Sequence, residues 1–530
     1  MLAKVQVPLN LSFFESGLAT HPNKEFVAEV LCNIENGSDI GYKGPDVGRL
    51  SHNWPSAYQF ATDVTSNVSE NLSKGRVVGP WTDPPCNDFV ASPLGAFARK
   101  GTGKVRVICD LSYPPGSSIN DHIDKDSYSL SYITVDSVAE LCMEYSEPPY
   151  VAKSDIRSAF THCLVRPQDW PKLGFEWQGL YYMYTHTPFG LRSSPYNYNL
   201  IADAVEFIAL SRGAGPHLRH YLDDSVVIAS NYSACKRKLE IFNETATLAG
   251  LEIQTDKCTD PSQTMEFLGI QIDTVNSTLS ISQERLTEIC DKLNRWRHRR
   301  TCSKRQLLSL IGKLSFAARV IRAGRTFLRR LIDLSKKVKF LHYKIKLNAS
   351  ARADMEWWLA SVASHNGVSM FPEPWIESTC INLWTDASNL GGGCLVSSHW
   401  FTIAFEGKRQ WMTNMPICWR EMYVVVRCLA TFGPQLSNSR IIMHIDNQVV
   451  CYALNNGTTK CPHMMELVRT MYHILVMYNM ECRAQYITTK DNVSADALSR
   501  FDMSTFRELN PNADVSMTPP WRIRYFDTYI

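Results

Sequence analysis

The chain is short of net charge, of long apolar runs and of closely paired cysteines, and each shortage narrows what it can be. Its 530 residues carry 55 Lys or Arg against 52 Asp or Glu, a balance of only +3, which is unpromising for a partner as anionic as nucleic acid. No apolar stretch approaches the length of a membrane span, so no membrane partner is expected. Met1–Pro8 lacks a signal-peptide core, and the expected location is cytoplasmic or nuclear. Sixteen cysteines are present, yet none stands in a Cys-x-x-Cys pair. Scattered reduced thiols are therefore expected, not disulfides or zinc, and sequons such as Asn67-Val-Ser69 carry no meaning. The length allows several domains and a sizeable core.

The charge total conceals its distribution. Residues 281–346 hold 19 Lys or Arg against 4 Asp or Glu, a surplus of fifteen that leaves the remainder at −12. Within this segment Leu286, Ile289, Leu293 and Trp296 recur at helical spacing, as do Leu307, Ile311, Leu314, Ala318 and Ile321. Each helix would bury that stripe and turn Arg295, Arg299, Arg319 or Arg322 elsewhere. A charge run is usually a solvated face, but this surplus exceeds what solubility needs and fits an element that tracks phosphates.

Acidic residues mark the chemistry. Tyr221-Leu-Asp-Asp224 precedes the apolar run Val226–Ala229, which predicts a tight hairpin with both carboxylates at the turn. Alone, Asp-Asp is an ordinary polar turn. A third carboxylate, Asp155, follows the strand-like Tyr150–Ala152 and precedes a helical turn at Arg157–Phe160. Asp155 can then face the hairpin and share a pair of Mg²⁺ ions with Asp223. Such a pair, about 4 Å apart, clamps the attacking and leaving oxygens of a phosphoryl displacement. Upstream, Ser92–Asp110 predicts a β-hairpin around a basic, glycine-rich turn at Lys100–Lys104, which is either a triphosphate grip or a solvated turn.

In this order, Asp155, Thr187-Pro-Phe-Gly-Leu-Arg-Ser-Ser-Pro195 and Tyr221–Asp224 resemble the palm of a reverse transcriptase. The resemblance implies a right-hand fold of fingers, palm and thumb, with Asp155, Asp223 and Asp224 as catalytic metal ligands. It implies that Arg106 contacts the triphosphate, with Arg99 or Lys100 as the accompanying base. Gly190 falls in the template-gripping loop, and Phe160, five residues after Asp155, where the family places its sugar-sensing aromatic; alone, Phe160 is equally a core residue. Lys257 is a candidate to protonate or bind pyrophosphate, or a surface lysine. Leu111–Asp121 and Phe189 are similar to DIRS-type retroelements, which pair this polymerase with a tyrosine recombinase; retroviral enzymes usually carry glutamine where Phe189 stands.

A second acidic set follows. Ile381–Ser388 and Arg440–Asp446 read as strands ending in carboxylates, Trp419, Met422, Val426 and Leu429 mark an amphipathic helix carrying Glu421, and Asn492–Arg500 closes the pattern. Singly these are capping residues. Together Asp386, Glu421, Asp446 and Asp496 resemble the four ligands of ribonuclease H, and Ala495–Arg500 resembles that of gypsy-type elements. Many cellular enzymes have a histidine in the loop before the last aspartate; here it is Thr488-Thr-Lys-Asp491.

The expected architecture is a multidomain α+β and α/β chain: an N-terminal extension (1–75), fingers and palm (76–278), a basic helical thumb or connection (279–371), a mixed-sheet ribonuclease H (372–505) and a tail (506–530). The expected partners are an RNA template, a DNA primer, an RNA–DNA hybrid and dNTPs, with an element-encoded structural protein and recombinase on other chains. Protease, zinc-knuckle and integrase signatures are absent from this sequence. A catalytically silent co-opted binding protein and an RNA-dependent RNA polymerase are the alternatives.

Overall fold

A computed structural model describes residues 8–98, 103, 105–364, 366–367, 369–370 and 379–521. Arg99 and Lys100, the expected triphosphate contacts, lie outside these residues. The chain divides into two compact units, the first running to Leu268 and including 272–277, the second comprising 269–271 and everything from Thr278 onward.

In the first unit a hairpin of β1 (Leu94–Ala98) and β2 (Val105–Cys109) pairs in antiparallel register, Ala98 opposite Val105. The sheet that positions the first acidic set has β3 (Tyr150–Asp155) and β5 (Asp224–Ala229) at its centre, flanked by β4 (Leu218–Tyr221) and β6 (Thr259–Ser262). Val226–Ala229 is an unbroken apolar run because the strand is buried on both faces. Helices α1 (Ser194–Ala209) and α2 (Tyr232–Leu248) add Ile201, Val205, Leu239 and Phe242 to the same core as Ala152 and Val227.

The segment expected as an N-terminal extension is not an appendage. Helices at Leu11–Gly17 and Lys24–Asn36, each N-capped by an asparagine (Asn10, Asn23), bury Phe14, Val30 and Ile34 in that same core. Arg49–Leu50 further pairs with Val90–Ala91 at one edge of a five-stranded sheet.

The second unit begins with α3 (Gln283–Arg297) and, after β7 (Thr301–Ser303), α4 (Lys304–Ala317). Helix α3 buries its whole stripe; α4 buries Leu307, Ile311 and Leu314 but ends at Ala317, so Ala318 and Ile321 are buried beyond it. Arg295 and Arg319 are exposed, Arg299 is half-buried and the Arg322 side chain lies outside the described residues. Helix α5 (Arg329–Lys336), β8 (Lys344–Lys346, paired with β7) and α6 (Ala349–Ser361) follow. A five-stranded sheet then has β9 (Ile381–Ala387) in the middle, with β10 (Gly391–Val396) and β11 (His399–Ala404) antiparallel on one side. On the other side β12 (Arg440–Ile445) and β13 (Glu481–Tyr486) run parallel.

Helix α7 (Ile417–Phe432) packs on this sheet and beneath α9 (Pro462–Met477). It was expected to show one apolar stripe, but being covered on both sides it is buried all round from Trp419 to Leu429, Arg420 and Arg427 included. Their guanidinium groups reach outside carbonyls: Arg420 donates to Ser388 O at 2.8 Å, Arg427 to Pro520 O at 3.2 Å. Beyond α10 (Val493–Ser499) and α11 (Met503–Leu509), the tail lies along the outer edge of β11. There Asp514 N donates to Ser398 O and Thr518 N to Trp400 O, both at 2.9 Å, and Phe506 is buried against Trp400. Among the described residues no helix is long and apolar enough to cross a membrane.

Candidate active sites

The first acidic set sits where two central strands end. Antiparallel register places Asp224 opposite Asp155, and the two-residue turn Leu222-Asp223 joins β4 to β5. Asp223 thus occupies the turn while Asp224 opens the strand, a refinement of the expectation that both lie at the turn. Leu222 takes a left-handed φ of 53°, a conformation that costs a non-glycine residue energy. The turn is tied down by Ile156 N donating to Asp223 O at 3.0 Å.

Burial pushes the Asp155 and Asp223 carboxyls above the usual range. At Asp223 the neighbouring Asp224 and Asp155 add to the rise; at Asp155 Lys257 opposes it. Two ammonium groups supply cationic charge from within the fold. Lys257 Nζ lies 3.1 Å from both Asp155 oxygens, and Lys153 Nζ 3.2 Å from Asp224 Oδ1. Lys257 therefore pairs with a carboxylate in this structure, although its side chain is 47% exposed. Three carboxyl groups at adjoining strand ends, two of them paired with local ammonium groups, are a donor set suited to divalent metal.

The expected nucleotide residues meet nearby. The Phe160 ring lies 5.2 Å from Phe189 and 6.1 Å from Tyr198, and Arg106 lies over Phe189 at 4.8 Å. Gly190 has φ +105°, and a Cβ there would stand 2.9 Å from Cys109 O. The glycine is thus required by backbone approach. Asn120, not singled out in the sequence, pins this loop: it donates to Gly190 O at 2.8 Å and accepts from Arg192 N at 2.8 Å.

In the second unit Asp386 on β9, Glu421 on α7 and Asp446 just after β12 each bring a carboxylate oxygen within 4.8 Å of the others. Among the described residues no other trio of acidic, His or Cys side chains is so gathered. Asp155, Asp223 and Asp224 are not, and neither is Asp496, whose Oδ1 accepts from Arg500 Nε at 2.8 Å. Burial raises Asp386 to about 6 and Glu421 to about 8, with repulsion from Asp446 contributing to both, from Asp496 at Asp386 and from Asp386 at Glu421. Glu421 Oε1 accepts from Asn447 Nδ2 at 3.2 Å, whereas its buried Oε2 has no hydrogen-bond partner. Asp446 accepts from Thr489 Oγ1 at 3.0 Å and, more weakly, from Asn492 Nδ2 at 3.4 Å. An orphaned buried oxygen beside two more carboxylates is what a divalent cation would satisfy.

Residues 98–272 match the family model described as reverse transcriptase (RNA-dependent DNA polymerase). The chain is 23% identical over 67% of its length to a putative enzymatic polyprotein of Cassava vein mosaic virus, covering 53% of that protein. It is 22% identical over 87% of its length to the retrovirus-related Pol polyprotein from transposon opus of Drosophila melanogaster, covering 44% of it. The chain thus spans about half the length of these curated relatives. Similar solved structures include the foamy viral protease-reverse transcriptase in complex with dsDNA (TM-score 0.49, 16% identity, 92% of this chain and 99% of that one). The same protein with an RNA/DNA hybrid also matches (TM-score 0.49, 15% identity, 89% and 62%).

Proposed function

We propose that the chain copies RNA and DNA templates into DNA and degrades the RNA of the resulting hybrid; residues 98–272 match the reverse transcriptase domain model, and transposon polyproteins are among the relatives it aligns with. The observation that carries this reading is the cross-strand placement of Asp155 against Asp224 with Asp223 in the turn between, inside that domain. The convergence of Asp386, Glu421 and Asp446 supports the second activity.

Asp155, Asp223 and Asp224 would hold divalent metal at the first site, and Asp386, Glu421, Asp446 and Asp496 at the second. The metal, Mg²⁺ in this reading, would supply Lewis-acid stabilisation of the phosphoryl oxygens. The chain's own residues bind and select. Arg106 meets the triphosphate of the incoming dNTP. Phe160, backed by Phe189 and Tyr198, forms a wall beneath the sugar that a 2′-OH would strike. Lys257, whose Nζ lies beside Asp155, protonates or binds the departing pyrophosphate. Within the retroelements we place the chain with the DIRS type, on Leu111–Asp121 and Phe189, which implies a recombinase on another chain.

The test is primer extension on a labelled RNA template with Mg²⁺ or EDTA. Metal-dependent extension with RNA shortening is expected, Asp223→Asn abolishing the first and Asp446→Asn the second. Retained extension in the Asp223 variant would refute the polymerase assignment. Hybrid binding without either activity would make the chain a co-opted binding protein.

A further inference from the structure

Between α5 and β8 the chain runs Lys336-Lys-Val-Lys-Phe-Leu-His-Tyr-Lys344. Five lysines fall within 336–346, and no acidic residue lies between Asp333 and Asp354. Amid this charge, Phe340, Leu341 and Tyr343 are 47%, 46% and 45% exposed. The rings form one outward cluster. Phe340 lies 5.9 Å from His342 with planes 21° apart, and 5.0 Å from Tyr343 edge-on; His342 and Tyr343 are 4.9 Å apart. Lys339 Nζ sits 5.7 Å from the Phe340 ring centre.

The segment is anchored at its base. Lys304 N donates to Tyr343 O at 3.0 Å and Arg305 N to Leu341 O at 2.9 Å, so the turn satisfies N–H groups at the start of α4. Lys304 Nζ also reaches Val338 O at 2.8 Å and Lys339 O at 3.3 Å. The anchored turn thus carries partly exposed aromatic rings. Every nucleobase offers a π-face, and a backbone of phosphates complements clustered lysines. In a duplex the base faces are already stacked on one another, so rings and lysines together suit an unpaired strand.

We propose that the Lys336–Lys344 turn binds single-stranded nucleic acid, its bases stacking on Phe340 and Tyr343 and its phosphates meeting Lys336, Lys337 and Lys339. The site includes none of the seven acidic residues and reads no sequence.

The experiment measures affinity of the whole chain, in EDTA, for a blunt RNA–DNA hybrid and for the same hybrid bearing an unpaired oligouridine extension. The extension should tighten binding about tenfold, as expected when bases stack on protein rings. The Phe340→Ala/Tyr343→Ala pair should erase that gain while leaving the blunt hybrid bound as before; both side chains are exposed, and far-UV circular dichroism checks the fold. An abasic extension should restore little of the gain. A double variant that keeps the full gain, or an abasic extension as effective as oligouridine, would overturn the proposal. So would phosphatidylserine vesicles that bind wild type but not the variant, with no effect of the extension, since the turn would then serve a membrane surface. No turnover is needed, so failure here is distinct from failure of the catalytic reading.

Discussion

Thr489→Val deletes one hydroxyl and little else. Thr489 Oγ1 donates to Asp446 Oδ2 at 3.0 Å from the loop that follows β13. A hydrogen bond to a charged acceptor contributes roughly 1.5–3 kcal/mol, and loss of a group that orients a metal ligand typically costs about 10–100-fold in affinity or activity. Thr489 is exposed, so water can replace part of the lost bond, which points to the lower end, about tenfold. Asp446 keeps only the long contact to Asn492. Hybrid cleavage titrated with Mg²⁺ should therefore show half-saturation moved up about tenfold, with most of the rate recovered at saturation. Primer extension by the same protein, at the other unit's site, should not change. An unaltered Mg²⁺ titration would refute the idea that the hydroxyl steadies Asp446, and a shift in both activities would point to general loss of structure.

Asn447→Ala should cost more: its Oδ1 caps α8 (Gln448–Asn456) by accepting from Val449 N and Val450 N, while Nδ2 holds Glu421. Loss of the cap costs about 1 kcal/mol, seen as a lower urea midpoint, and hybrid cleavage should fall further than in Thr489→Val. Arg330→Met leaves buried Asp354 with Arg469 at 3.6 Å in place of its own 3.1 Å contact. Burial raises Asp354 to about 6, so its contribution to stability is full below the unfolded value of 3.8 and is lost as pH rises through about 6. The cost of the substitution should accordingly be larger at pH 8, about 3 kcal/mol, than at pH 5; equal urea shifts at the two pH values would contradict this. Phe160→Ala should admit ribonucleotides in primer extension, and unchanged sugar selection would remove the ring from that role.

The acidic frame was legible because it rests on local signals. Apolar runs fixed the strands that end at Asp155 and precede Asp446, and paired aspartates before an apolar run marked the hairpin, though not that Asp224 opens the strand. Partners remote in sequence were not. Asn120 reaches Gly190 seventy residues away, Thr489 reaches Asp446 forty-three away, and short polar side chains carry no periodicity. The buried guanidinium groups of α7 were hidden for the same reason, since Ser388 and Pro520 supply their acceptors. The first helices did leave a trace: Asn10 and Asn23 each precede an apolar spacing of about one turn, Phe14 to Leu18 and Val30 to Ile34, which is the signature of a capped, packed helix. The bond of Lys257 to Asp155 joins residues 102 apart and had no sequence correlate.

The tail along β11 bears on how the protein behaves in bulk. A sheet whose last strand ends in solvent offers unpaired N–H and C=O groups to any other chain. Here Asp514 and Thr518 occupy that rim, and Phe506 fastens the covering strip to Trp400. A polypeptide ending after Arg500 would retain all seven acidic residues and yet bare the rim, trading a self-contained particle for one with a template for edge-to-edge aggregation.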